Sequence, residues 1–199
     1  MLITAVEPRK KSLSALYIHG EYAVSIDTVT LAASGFREGS EIDDDQLHDL
    51  IETSNVNRAK EKALYLIEYR ARTRKEIEDK LKIEYGEKAA VTAVERLQEL
   101  GLIDDEGFAK EYAYQLLVKK KYSEKRTLYE MLKKGIDKEL AEEIIEELGI
   151  DPEEQIRYLL ETKYAKLMND EGNRKKVVST LAGMGFSWYD INSVVNEYW

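Results

Sequence analysis

The apolar positions of this chain change period part-way along. In the first forty residues they alternate with polar ones and are rich in β-branched and aromatic types, as in "LITAVE" and "LSALYIHGEYAVSID". Period-two alternation predicts strands with one buried face. Pro8 and the basic Arg9-Lys10-Lys11 mark a first turn. A second lies at His19-Gly20-Glu21, where glycine can supply the positive φ of a tight hairpin. The expectation is a small three-stranded antiparallel sheet. A short helix over residues 28–33 should stop at Ser34-Gly35. Asp43 or Asp44 should then cap a helix carrying Leu47, Leu50 and Ile51.

From residue 57 the period becomes 3.6 and helices come in threes. Ala59, Ala63 and Ile67 draw one stripe, Ile77 and Leu81 a second from near Thr73, and Ala90, Val94 and Leu97 a third, closed by Gly101. The scheme repeats with Phe108, Tyr112 and Leu116, then Leu128 with Met131 or Leu132, then Leu140, Ile144 and Leu148, closed by Gly149. It repeats again with Ile156, Leu160 and Leu167, then Val177 and Leu181, then Ile191, Val194 and Tyr198. The punctuation recurs as well. Gly86, Gly135 and Gly185 each end a middle helix, at intervals of about 50 residues that suit tandem helical modules. "GLIDDEGFAKEYAYQLL" is echoed by "GIDPEEQIRYLLETKY", a glycine closing one module and an acidic cap opening the next. The expected fold is mainly α: three tandem three-helix repeats in an elongated curved stack behind a β-rich N-terminal extension. The boundaries fall at residues 1–56, 57–103, 104–150 and 151–199.

Composition narrows the function. Of 199 residues 35% are charged, and only two are prolines, which favours helix over loop. The absence of cysteine removes disulfides and thiolate metal sites and fits a reducing compartment. No signal pattern or membrane-length apolar run is present, so a cytoplasmic protein with no membrane partner is expected. The net charge of −9 is unevenly spread, from −6 over residues 1–56 to +2 over 57–103. Dedicated duplex binders are usually basic, because phosphate neutralisation supplies much of their affinity. Tight autonomous DNA binding is therefore not expected.

Catalytic chemistry is nearly absent. His19 and His48 have no neighbouring nucleophile or ligand pattern, and the glycines end helices instead of clustering around a phosphate. Asp104-Asp105 stands where a helix N-terminus needs acceptors. No enzyme, cofactor or metal site is expected. Basic residues do recur at one module position, beside the junction of the first and second helices. These are Arg70, Arg72, Arg74 and Lys75, then Lys119, Lys120, Lys121, Lys125 and Arg126, then Arg174, Lys175 and Lys176. Ordinarily such runs only solvate a helical surface. Their recurrence raises a second reading, a discontinuous basic stripe on an acidic body. Most of the 13 tyrosines should be core or module-interface residues, and Tyr122, beside the second cluster, is the clear candidate for base stacking.

Three segments together resemble a known family: "ALYLIEYRARTRKEIEDKL", "RLQELGLIDDEGFAKEYAYQL" and "MLKKGIDKELAEEIIEEL". Their order and spacing are similar to those of the RecX-type regulators of the RecA recombinase, over residues 57–199. The N-terminal part is similar to the extension of longer bacterial members. The resemblance implies a non-enzymatic protein that binds the RecA filament and limits its ATPase and strand exchange, and some members also bind DNA. The expectation for this chain is a monomer that touches single- or double-stranded DNA weakly. It departs from the family pattern at "KKKYSEKRT", where Ser123 should cap the helix and Glu124 start it, and at "EYAYQLLVKK", where members often carry arginines. The rival readings are a helix-turn-helix-like DNA binder and a generic helical adaptor.

Overall fold

The structure, a computed structural model, describes residues 1–10, 12–168 and 170–199. The chain divides into two compact units, Met1–Asp104 and Asp105–Trp199.

The first unit opens with strands β1 (Ile3–Arg9), β2 (Leu13–Ile18) and β3 (Glu21–Asp27), antiparallel in the order β1-β2-β3. The β2–β3 turn works as the sequence suggests. His19 and Gly20 both take positive φ, 53° and 87°, the pairing a two-residue hairpin turn requires. Pro8 differs from expectation: it lies within β1, opposite Ser14, instead of in the turn. β1 is an edge strand, where a residue without an N–H is tolerated. Lys11, the third basic residue expected in that turn, lies outside the described residues. Asp27 then caps α1 (Thr28–Ser34), its Oδ1 accepting from the Thr30 amide at 2.9 Å, and Gly35 ends the helix at φ 75°.

The next helix, α2, runs unbroken over Asp44–Tyr69. Asp43 is its cap: it accepts from the Gln46 amide at 2.8 Å while the Gln46 side chain accepts from the Asp43 amide at 3.1 Å. The sequence reading expects two helices here, with a module starting at residue 57, and that point lies inside α2. "TSNVNR" holds neither glycine nor proline, so nothing stops the helix. What changes is the buried face. Leu50 packs with Ile3, Leu16, Ile26, Leu31 and Ile42 under the sheet. Further along, Ala59 and Ala63 join Ile77, Leu81, Ala93, Val94 and Leu97 from α3 (Arg74–Tyr85) and α4 (Glu87–Glu99). Thr73 and Gly86 punctuate α3 as expected.

The second unit holds two more bundles. The first comprises α5 (Asp105–Tyr114), a π-helical segment (Gln115–Lys119), α6 (Glu124–Lys133) and α7 (Lys138–Leu148). Its core uses Ala109, Ala113, Leu117, Met131, Ala141, Ile144 and Ile145, with Phe108 and Tyr112 flanking it. Met131 is the buried member of the pair left open by the sequence, since Leu132 is exposed. The second comprises α8 (Pro152–Glu161), α9 (Arg174–Gly183) and α10 (Trp188–Val195), closed around Ile156, Leu160, Leu181, Phe186, Ile191 and Val194. Two stripe assignments need correction. Leu167 packs on this core from beyond the end of α8, and Tyr198 lies past α10, so that Val195 fills the buried position. The fold is thus mainly helical, with a three-stranded sheet at the N-terminus.

Candidate binding cleft in the second unit

The local structure around residues 115–123 follows from a helix that widens before it ends. Through the π segment the Lys120 amide donates to the Gln115 carbonyl at 2.9 Å, five residues back instead of four. The widening leaves carbonyls in need of partners. That of Leu116 accepts from the Tyr122 amide at 3.0 Å, and that of Leu117 accepts from the buried Gln155 side chain of α8 at 2.5 Å. Lys121 absorbs the change of direction in the left-handed region, at φ 58°. Ser123 then caps α6 as expected, accepting from the Arg126 amide at 3.2 Å. Its own amide donates to the Met184 carbonyl at 3.1 Å. Gly185, at φ 94°, sits so close that a Cβ there would lie 2.5 Å from Ser123 Oγ and 2.6 Å from Arg126 Cβ. The two bundles of this unit are therefore clasped at the start of α6.

Between the end of the π segment and the end of α8 lies an open cleft of about 630 Å³. Lys119, Lys120, Lys121 and Lys163 line it, with Tyr122 and Tyr158, and among the described residues no carboxylate does. Ammonium groups stand over aromatic faces throughout. Lys121 Nζ is 4.7 Å from the Tyr158 ring centre, Lys120 Nζ 5.8 Å from that of Tyr122, and Lys119 Nζ 5.4 Å from that of Tyr114. Such contacts hold long side chains in place without cancelling their charge. From outside, Glu111 approaches Lys119 to 3.9 Å.

The other basic residues are placed differently. In the first unit Arg70 donates to both oxygens of Glu76, at 3.0 and 3.3 Å, and that hydrogen bonding raises its pKa. Arg72 donates to the Leu66 carbonyl at 3.0 Å. Arg74 donates to Gln98 at 3.0 Å and pairs with Glu78 and Glu95, and Lys75 pairs with Asp79 at 2.9 Å. This cluster ties its own helices together. In the second unit Arg126 pairs with Glu130 at 2.7 Å between the rings of Tyr122 and Tyr129. Lys125 faces a separate groove with Glu124, Glu142 and Glu146. Arg174 donates to Asn196, and Lys175 and Lys176 follow it, exposed, on α9. Of the twelve basic residues, three line the cleft.

Tyr158 and Lys163 are the cleft residues that sequence reasoning missed. A signal was present for Tyr158: the buried stripe of Ile156 and Leu160 leaves it on the opposite face, and 52% of it is exposed. Lys163 carried none, because its proximity to residues 119–121 arises only from the packing of α8. Asp104-Asp105 stands where expected, with Asp105 opening α5. Among the described residues no group of three His, Cys, Asp or Glu could hold a metal ion, and no helix is long and apolar enough to cross a membrane.

A small antiparallel sheet leading into successive three-helix bundles defines a class of mainly helical protein, here with a cationic cleft in its second unit. The comparisons specify which. The family model described as RecX, first three-helix domain, matches residues 59–97, and that described as RecX, second three-helix domain, matches 104–145. The chain is 31% identical to the regulatory protein RecX of Caldanaerobacter subterraneus subsp. tengcongensis, over 98% of this chain and 99% of that one. It is also 31% identical to the RecX of Clostridium acetobutylicum, over 98% and 95%. A crystal structure of a regulatory protein RecX superposes with a TM-score of 0.65 at 21% identity, covering 98% of each chain. That of RecX from Lactobacillus salivarius does so with 0.60 at 27% identity, covering 73% of this chain and 97% of that one. The chain belongs to the RecX family of regulatory proteins.

Proposed function

We propose that this protein regulates homologous recombination and DNA repair by binding the RecA–DNA filament and restraining RecA's ATPase and strand exchange. The observation that carries this reading is the likeness to regulatory proteins RecX along almost the whole chain. The cleft supports it physically. A local concentration of ammonium groups on a chain of net charge −9 suits a partner that presents a polyanion in a defined place, and disfavours indiscriminate DNA coating. Several bundles in one chain allow weak contacts to add. In this reading the filament contacts come from Lys119, Lys120 and Lys121, with Lys125, Arg126, Arg174, Lys175 and Lys176 in support. Arg70, Arg72, Arg74 and Lys75 serve mainly to hold the first unit. The site of action is the cytoplasm, where RecA filaments form.

The test is RecA-dependent ATP hydrolysis on single-stranded DNA with and without this protein. Inhibition is expected, and it should weaken with added salt and in the K119Q/K120Q/K121Q variant. RecA from the same organism hydrolysing ATP at an unchanged rate under saturating protein would sink the reading. Tight binding to bare DNA at physiological salt, with a steep salt slope, would favour a DNA-binding protein instead.

A further inference from the structure

The cleft is built where two helices end, and its charge exceeds what those ends require. The π segment and α8 both terminate there, each helix dipole contributing at most roughly half a negative charge. About one of the four ammonium groups is therefore matched by helix ends, and Glu111 takes part of Lys119. A surplus of about two to three positive charges remains by this reckoning. It is concentrated in a space within the range of about 300–1,000 Å³ typical of small-molecule sites. The half-exposed ring of Tyr158 supplies an aromatic wall.

Charge density selects the ligand. A nucleic-acid strand carries one charge per nucleotide, so the segment fitting this cleft would leave part of the surplus unmatched. Its flanks would also cross a unit that has 15 Lys and Arg against 19 Asp and Glu, net −4 over residues 105–199. A compact oligophosphate brings three or four charges into the cleft and leaves the acidic surroundings alone. We propose that the cleft binds a nucleoside di- or triphosphate, with its phosphate chain among Lys119, Lys120, Lys121 and Lys163 and its base against Tyr158. Bound there, the nucleotide occupies lysines otherwise open to a polyanionic partner.

The experiment is calorimetric titration of the intact protein, without divalent cation, with ATP, ADP, AMP, inorganic tripolyphosphate and an oligothymidylate. ATP and ADP are expected to bind at least tenfold more tightly than AMP, and ATP more tightly than tripolyphosphate. The double variant Lys120→Gln, Lys163→Gln removes two exposed side chains and should weaken ATP binding about a hundredfold, about tenfold per ammonium, with an unchanged melting curve. Tyr158→Ala should weaken ATP but not tripolyphosphate. AMP binding as tightly as ATP, or ATP binding unaffected by the double variant, would overturn the proposal. So would an oligothymidylate that binds through these lysines while ATP gives no heat, which would make this a strand site. Tripolyphosphate binding as tightly as ATP would overturn the nucleoside and leave a bare oligophosphate. No RecA is present in the titration, so its outcome is separate from that of the filament assay.

Discussion

Gly185 does two jobs that no other residue can combine. Its φ of 94° belongs to the left-handed side, and its missing Cβ lets the α9–α10 turn rest on Ser123 and Arg126. Gly35 has the first property without the second, since a Cβ there would meet nothing within 4 Å. Gly35→Ala should therefore cost about 1 kcal/mol, the strain of a left-handed alanine. Gly185→Ala should cost roughly 2 to 4 kcal/mol, because overpacking is added. Urea unfolding of the two variants checks this, and equal losses would mean the clasp is not tight. Tyr85 offers a second test at this scale. Burial, and then its hydrogen bond to Glu84 at 2.9 Å, push its hydroxyl up from 10.0 to about 12, against the opposing pull of Arg58. The raised value means that the folded state holds this proton more tightly than the unfolded chain. The contribution to stability is complete below pH 10 and is lost as pH rises towards about 12. The Tyr198 hydroxyl is also raised, by its hydrogen bond to Glu161, so titration of tyrosinate absorbance should show a component near pH 12 that disappears in Tyr85→Phe while Tyr198 stays late. A full complement of ordinary tyrosines in the wild type would refute it.

At the scale of elements, α2 decides between a chain of separate modules and one with a shared rod. Val56→Pro places a proline mid-helix, where it removes a hydrogen bond and clashes with the preceding turn, at about 3 kcal/mol or more. A loss below 1 kcal/mol in thermal melts would restore a break near residue 57. Much else about the elements was legible from residue chemistry. Asp43, Thr73 and Ser123 are side-chain acceptors placed one residue before a helix, and Gly86, Gly101, Gly135, Gly149 and Gly185 all take positive φ where a helix ends. These signals are local, so one sequence carries them. The continuity of α2 was hidden because a change of buried face looks, in the pattern, like a change of element. The π segment was hidden for a different reason: its extra residue is stabilised by Gln155, 38 positions from the carbonyl it serves. The cleft inherits that obscurity. Lys119, Lys120, Lys121 and Tyr122 could be picked out as a basic run beside an aromatic. Tyr158 and Lys163 reach them only through packing of the next bundle.

For the whole molecule, the two units carry separate sets of cores, and each approaches the size of a small domain. Residues 1–104 and 105–199 expressed apart should each melt cooperatively and give dispersed amide spectra. A unit that is unfolded alone would show that its stability depends on the other. Within the first unit the partition is not so clean, because α2 belongs to two cores at once. Its N-terminal half packs under the sheet with Leu50, and its C-terminal half packs on α3 and α4 with Ala59 and Ala63. A helix held at both ends cannot fray from either without exposing apolar surface there. Amide hydrogens in β2 and in α4 should therefore exchange through the same opening event. The rod makes the sheet and the first bundle one thermodynamic body.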